Sequence, residues 1–220
     1  MVASSPQLKP KKLSNAELLR SNVFVAWSRK IGRHVTLIGP NQFDAWHVVE
    51  FDPVTTWFCE RPPIDLDLLP LEGKQRSLDF WVRRQSGEQT GVVVHDPGAR
   101  DKTCPIDLLR RSVEAAKIKC EVWPTSDLRA RATYLRNLKQ LQPFVAAEDA
   151  SDEKLASEIV AHLSRMKEGT WGEMHALFAS RFEGQVNAEI ARLIHSGRIK
   201  ANLSEHSLAS TTKLSCDEHR

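Results

Sequence analysis

The sequence predicts a mixed α/β domain followed by a smaller domain that is mostly helical. Short stretches rich in β-branched and aromatic residues alternate with amphipathic helical patterns up to about residue 145, and three helical patterns with only two strand-like stretches follow it. Between the two parts, Ala146–Asp152 is small and acidic, as in a linker. We therefore predict an arm over 1–34, a mixed sheet with flanking helices over 35–146, and a second domain over 150–214.

The first domain is predicted to open with helices and strands. Residues 1–12 are polar and are predicted to be disordered. Ser14 and Glu17 form a capping pattern for a short helix that ends at Arg20, and a three-to-four apolar spacing predicts the next helix. That helix covers 41–50. Strands are predicted from β-branched and aromatic content over 54–60, from the alternation of apolar and polar residues over 64–71 and 76–84, and from a short apolar run over 91–95. The last of these is nearly all apolar, which is typical of the centre of a covered sheet.

Helical and strand patterns complete the chain. In the first domain we predict helices over 104–117 and 126–141, with a strand between them over 119–123. In the second domain the apolar spacing predicts three helices, over 151–166, 171–178 and 185–195, and two strands, over 198–203 and 210–214. Ser151 is the expected cap of the first helix, and Gly197 is expected to end the third.

Three short helices and a two-stranded wing are typical of a winged helix-turn-helix. Its own small core is predicted from apolar positions in the first and third helices, namely Leu155, Ile159, Leu163, Ile190 and Ile194.

Composition narrows the class of protein. Of 220 residues, 41% are hydrophobic, which is enough for a real core, yet no apolar run has the roughly 20 residues of a membrane span. The first residues carry no apolar stretch after their charges, so they do not resemble a secretory signal. The four cysteines form no CxxC pair and match no zinc pattern. We therefore expect reduced thiols, a cytoplasmic location and no membrane partner.

Charge is concentrated in the arm. Residues 1–34 carry seven basic residues and one acidic residue, residues 35–147 are neutral overall, and residues 148–220 carry a net charge of −3. A basic arm is the kind of segment that reaches DNA phosphates, although a solvated tail would have the same composition. The candidate DNA-binding residues in it are Lys9, Lys11, Lys12, Arg29, Lys30 and Arg33.

Four phrases carry a family resemblance: QFDAWHVVEFDPVTTWFCERPP, RSLDFWVRR, GVVVHDPG and YLRNLKQL. In this order and spacing, over residues 33–145, the chain resembles the TnsA-like endonuclease subunit of heteromeric transposases. The resemblance implies a restriction-endonuclease-like fold followed by a winged helix. It also implies DNA at transposon ends as the target, with a transposase subunit and an ATPase regulator as partners.

The resemblance also implies a metal-dependent site that this sequence matches poorly. Such a site needs a helix Glu, a strand Asp, and a following strand with an acceptor and a Lys, which together hold Mg²⁺ and the attacked phosphate. Here the helix position is Gln42, and Asp79 fills the strand position. The following strand reads Val-Val-Val-His95-Asp96, and neither possible register supplies the Lys.

Three interpretations of these residues stay open. Asp79, His95 and Asp96 could form an unorthodox catalytic site, with Asp79 and Asp96 as metal ligands and Mg²⁺ as the cofactor. A degenerate site would keep the fold and lose cleavage. The third interpretation is ordinary polar residues at strand ends of an unrelated fold. Glu50 is expected to be an exposed helix-end residue, and Glu60 is a possible substitute ligand from another element.

The second domain has two candidate roles. Its third helix is expected to present Asn187, Glu189 and Arg192 outward, where a winged helix would read a DNA groove. The net negative charge opposes contact with phosphates, so docking to a protein is the other possibility. The acidic residues thought to form such a docking surface are Glu148, Asp149, Asp152, Glu153 and Glu158. An alternative function is therefore a non-catalytic winged-helix DNA-binding regulator or adaptor, and neighbouring transposase and ATPase genes would favour the transposon interpretation.

Overall fold

The computed structural model describes residues 8–67, 75–96, 111–112, 114–115, 119–147, 151–182 and 184–216. The chain divides into two compact units, the first formed by Met1–Val49 and Thr55–Ala130, the second by Glu50–Val54 and Arg131–Arg220. The boundary at residue 131 therefore differs from the linker predicted at 146–152. Within the part of the chain that the structure describes, none of the helices combines the length and the apolar character that crossing a membrane requires.

The first unit opens with a short helix and a hairpin. Helix α1 spans Asn15–Arg20, as predicted, and strands β1 (Val23–Ser28) and β2 (Arg33–Ile38) pair antiparallel. This hairpin was not predicted from the sequence. The turn between its strands contains Gly32, whose φ of +64° lies in the left-handed region that favours glycine.

A helix and a small hairpin come next. Helix α2 spans Gly39–Phe51 and contains the predicted helix. Strand β3 (Thr55–Glu60) follows, and the short strands β4 (Asp65–Asp67) and β5 (Gln75–Ser77) pair antiparallel. The predicted strand over 64–71 is therefore present only as β4, and its last residues lie outside the described part of the chain.

The main sheet of the first unit is mixed, as predicted. It contains β3 together with β6 (Phe80–Arg84), β7 (Gln89–His95) and β8 (Cys120–Pro124), in the order β3-β6-β7-β8. The first three strands are antiparallel, and β7 and β8 are parallel. Val92, Val93 and Val94 are at most 6% exposed, which confirms a central strand covered on both faces.

Two predicted elements differ from the structure. The strand predicted over 76–84 is interrupted at Leu78 and Asp79, because β5 pairs with β4 whereas β6 pairs with β3 and β7. The helix predicted over 104–117 falls mostly outside the described residues, although 111–112 and 114–115 are helical.

The helix predicted over 126–141 is two helices. Helix α3 spans Thr125–Ala130 and α4 spans Ala132–Ala146, with Arg131 between them. Pro143 was expected to close the helix but lies within α4. Proline lacks an amide hydrogen, so α4 loses one backbone hydrogen bond in its last turn but is not ended there.

The second unit continues with helices and a small sheet. After α4 come α5 (Glu153–Met166), β9 (Glu168–Thr170), α6 (Trp171–Phe178) and α7 (Val186–His195). The chain then forms β10 (Lys200–Ala201) and β11 (Lys213–Ser215), and the three strands form an antiparallel sheet in the order β10-β11-β9. The three predicted helices are confirmed, whereas both predicted strands are shorter and β9 was not predicted.

The ends of these helices have clear physical causes. Asp152, not Ser151, caps α5, because its carboxylate accepts hydrogen bonds from the amides of Lys154 and Leu155. The end of α7 is as predicted: Gly197 follows the cap residue with a φ of +72°. A Cβ there would lie 2.5 Å from Cβ of Pro53, so a larger residue would also clash.

The predicted core of the second unit is confirmed. The five apolar positions named from the sequence are at most 9% exposed and belong to one buried cluster, namely Leu155, Ile159, Leu163, Ile190 and Ile194. Phe51, at the end of α2, packs in the same cluster.

Candidate functional site

The site predicted from the sequence is centred on Gln42 and Asp79. Gln42 lies in the first turn of α2, and Asp79 lies immediately before β6. The Nε2 of Gln42 donates a 3.0 Å hydrogen bond to Oδ1 of Asp79, and Gln42 is 5% exposed. Two positions that are 37 residues apart in the chain, and that the resemblance pairs, are therefore in direct contact.

The orientation of the Gln42 amide is set by its second contact. The backbone N–H of Ile38 donates to Oε1 of Gln42 at 2.6 Å, and only the oxygen of an amide can accept that bond. The amide nitrogen therefore faces Asp79. The other oxygen of Asp79, Oδ2, accepts a 2.7 Å hydrogen bond from the backbone N–H of Val94. Each oxygen of this carboxylate thus accepts a hydrogen bond from the protein.

A second carboxylate at this end of the sheet is bound in a similar way. Asp96 directly follows β7, and β7 ends where the antiparallel β6 begins. Its Oδ2 accepts a 3.0 Å bond from Nδ2 of Asn41, the neighbour of Gln42 on α2, and lies 3.4 Å from Nη2 of Arg129. His95 is the last residue of β7, where it pairs with Pro124.

These residues do not fit a divalent metal. A metal of the Mg²⁺ kind needs several oxygen ligands that converge on one point. The neighbour of Asp79 on α2 presents an amide N–H, which is a donor and not a ligand. Among the described residues, no three His, Cys, Asp or Glu side chains lie close enough together to hold a metal ion.

Glu60, the possible substitute ligand, is held by another partner. Arg33 donates from Nη1 and Nη2 to the two oxygens of Glu60, at 2.7 Å and 2.6 Å, and Glu60 is 1% exposed. The hydrogen bond with Glu60 raises the pKa of Arg33 above its usual value. Arg33, a predicted DNA contact, therefore compensates a buried carboxylate in this structure.

The other predicted arm residues differ in exposure. Lys9, Lys12 and Arg29 are exposed, and Lys11 is half-buried. Lys30 is half-buried, and its Nζ donates to the carbonyl of Thr55 at 2.8 Å.

The outward orientation predicted for α7 is wrong. Glu189 and Arg192 are 2% and 6% exposed, and they lie 3.4 Å apart. The segment before α5 covers this face, because Glu189 accepts a 2.8 Å bond from Oγ of Ser151 and Arg192 Nη2 lies 3.4 Å from the carbonyl of Ala147. Asn187 is half-buried.

Glu50 was also expected to be exposed, and that prediction is wrong. It is fully buried, and its Oε1 lies 2.9 Å from Nε2 of His195 at the end of α7. A carboxylate in the last turn of a helix looks solvated in the sequence, and only the tertiary contact identifies its partner.

Asn137 is a buried residue whose role was not predicted from the sequence. It is fully buried in α4, and its Nδ2 donates to the carbonyls of Leu203 and His206 at 2.8 Å and 2.7 Å. Its Oδ1 accepts from the N–H of Leu208 at 2.8 Å. This asparagine belongs to the RNL phrase, which contributes to the resemblance. In this structure its side chain holds the loop between β10 and β11.

Comparison with known proteins adds no family assignment. No protein-family model matches the chain, and no curated protein matches it. The resemblance therefore depends on the phrases quoted above.

Proposed function

We propose that this chain is a TnsA-like subunit of a heteromeric DNA transposase that binds DNA at transposon ends and no longer cleaves it. The observation that carries the proposal is the 3.0 Å contact between Gln42 and Asp79. The resemblance predicts that these two positions share one site, and an unrelated fold gives no reason for them to meet.

Loss of cleavage is supported by the chemistry of that contact. Gln42 contributes a donor where a nuclease of this kind has a carboxylate, and its amide cannot supply the negative charge that attracts a divalent cation. The oxygens of Asp79 are directed to the N–H groups of Gln42 and Val94. Because the donor set does not fit Mg²⁺, we assign no chemical step to these residues.

The proposed winged helix is supported by the order of elements in the second unit. Strand β9 lies between α5 and α6, α7 follows α6, and β10 and β11 form a hairpin in which β11 pairs with β9. In such a fold α7 would be the helix that reads DNA. The burial of Glu189 and Arg192 argues against that use, so we propose that this unit docks a protein partner.

Charge gives only limited support to protein docking. Of the acidic residues named from the sequence, Glu153 pairs with Arg198 and Glu158 with Arg181, at 3.0 Å and 2.8 Å. Asp152 caps α5. The remaining two, at 148 and 149, lie outside the described residues. The partner is therefore defined here by the transposon interpretation and not by an acidic surface.

The second candidate function is a non-catalytic winged-helix DNA-binding regulator or adaptor that acts without a transposase partner. The buried face of α7 is compatible with it, since an adaptor need not read DNA sequence. A supershift assay separates the two. The full chain is mixed with labelled transposon-end DNA and the transposase encoded by a neighbouring gene. A three-component complex supports the subunit proposal, and end-DNA binding without any effect of the transposase supports the adaptor. A chain that binds neither contradicts both.

A further inference from the structure

Within the N-terminal arm, the segment 8–14 is held by hydrogen bonds close to Asp79. Leu8–Ser14 contains no helix, turn or bend. The backbone N–H of Lys11 donates to the carbonyl of Arg61 at 2.8 Å, and its Nζ donates to Oγ of Ser77 at 3.3 Å. Residues 8–12 were expected to be disordered, and the structure instead gives them a defined position.

Arg61 connects the arm to the candidate site. Its backbone N–H donates to the carbonyl of Asp79 at 2.8 Å, so Lys11 is joined to Asp79 through a single intervening residue. Arg61 has a φ of +44°, which is sterically costly for a residue with a side chain. Strained positions of this kind cluster at functional sites. The Nε of Arg61 donates to the carbonyl of Thr36 at 3.3 Å, which orients the guanidinium.

We infer that Lys11, Arg61 and Ser77 form a binding site for the phosphate backbone of DNA, and we name it the arm junction. The inference rests on the proposed function and adds the place where DNA crosses the first unit, at the Asp79 end of the sheet. Lys9 and Lys12, both exposed, extend the site along the arm.

Two features favour DNA as the ligand. The arm places three lysines, Lys9, Lys11 and Lys12, within four consecutive residues, so it carries enough positive charge to neutralise more than one phosphate of a DNA strand. Two of the nearby carboxylates are also compensated by arginines. Glu60 is paired with Arg33 and Asp96 with Arg129, which lowers the repulsion that a phosphate would meet.

The test measures the salt dependence of binding of a short labelled duplex to the full chain. Lys11→Glu is compared with Lys167→Glu, which makes the same change of charge at an exposed residue of the second unit. Arg61→Gln is the second junction variant. Lys11→Glu and Arg61→Gln should each lower the slope of log Kobs against log salt by about 0.9, the value for one phosphate contact. Lys167→Glu should leave the slope at its wild-type value.

A crosslinking measurement covers the possibility that Arg61→Gln does not fold. A photoreactive residue replaces the exposed Ser77 in one protein and the exposed Ser204 of the second unit in another. Crosslinking to DNA from position 77 and much less from 204 supports the arm junction. Equal slopes for Lys11→Glu and Lys167→Glu, without crosslinking at position 77, would overturn the arm junction. The proposal that the chain binds DNA would still stand. Binding that polyglutamate abolishes as readily as unlabelled duplex would mean an acidic protein ligand, and would also overturn the arm junction. Failure of the wild-type chain to bind duplex would instead refute the proposed function.

Discussion

The side-chain amide of Gln42 donates a 3.0 Å hydrogen bond to the carboxylate of Asp79, across 37 residues of chain. The same amide accepts from the N–H of Ile38, so it connects the end of β2, the start of α2 and the loop before β6. A nuclease of the proposed family would use two carboxylates and a metal ion to make this connection. Here a neutral amide makes it, and the stability of the first unit should depend on that amide.

Gln42→Glu is expected to destabilise the protein by about 1–3 kcal/mol at pH 7, because it replaces a buried hydrogen bond with two facing carboxylates. Each carboxylate raises the pKa of the other, so the new group has a higher pKa in the folded than in the unfolded state. The loss of unfolding free energy should therefore be small near pH 4 and should grow as the pH rises through the folded-state pKa of the new carboxyl group. Urea unfolding at several pH values measures it. Gln42→Met is the uncharged control, and its loss should not grow with pH. A Gln42→Glu protein as stable as wild type at pH 7 would contradict this account.

Arg33→Ala is expected to cost about 1–3 kcal/mol of unfolding free energy, because the carboxylate of Glu60 loses its bidentate partner while the partly exposed position of Arg33 lets water reach it. Adding Glu60→Gln should recover most of that loss by removing the buried charge. Denaturant unfolding of the two single variants and the double variant gives the coupling free energy between Arg33 and Glu60. Additive losses in the double variant would mean that the pair contributes little.

Asn137→Ala is expected to lower the unfolding free energy by about 2–3 kcal/mol, because three backbone groups, one of them in a fully buried contact, lose their partner at about 1 kcal/mol each. The loop between β10 and β11 should also exchange its amide hydrogens faster, most clearly at Leu208, whose N–H donates to Asn137. Hydrogen exchange followed by mass spectrometry checks this. Gln140→Ala, at an exposed position of the same helix, is the control. Unchanged exchange at Leu208 would contradict the proposed role of Asn137.

Two thiols are expected to be unreactive in the folded protein. Burial, with the neighbouring Glu60 carboxylate, raises the pKa of Cys59 to about 11, and burial with Glu121 raises that of Cys120 to about 12. At pH 8 both should resist alkylation until the chain unfolds. Their neutral forms are favoured by folding, so stability should fall as the pH rises from about 9, where the unfolded thiols ionise, towards 11–12. Peptide mapping after iodoacetamide treatment measures the reactivity, and rapid labelling of native Cys59 would contradict the burial effect.

Local patterns were sufficient for most of the fold. Which face of an element is buried sets its pattern of apolar residues, and that pattern is contained in the segment itself. It was visible as alternation and β-branched content in β3, β6 and β7, and as helical spacing in α5, α6 and α7. The split of the strand predicted over 76–84 was not visible, because it depends on which partners β5 and β6 choose. The β1–β2 hairpin was missed although Gly32 provides a turn signal.

The candidate site was only partly predictable. Gln42 and Asp79 were named from the phrases that carry the resemblance, and their contact agrees with that choice. The sequence did not reveal the roles of four buried polar residues, namely Glu50, Glu189, Arg192 and Asn137. Each of them contacts a partner that is 38 or more residues away in the chain. Glu189 and Arg192 also contact each other within α7. Charged residues on amphipathic helices look solvated in a sequence, whether or not another segment covers them.

We propose that the first unit binds DNA without cutting it. One assay tests this most directly: supercoiled plasmid is incubated with the purified chain and Mg²⁺ or Mn²⁺, and binding and nicking are measured in the same samples. The account predicts salt-sensitive binding of the plasmid with no nicking, and no effect of Asp79→Ala on the plasmid products. Nicking by the wild-type chain that Asp79→Ala abolishes would contradict it, and His95 and Asp96 would then be the next residues to test as ligands.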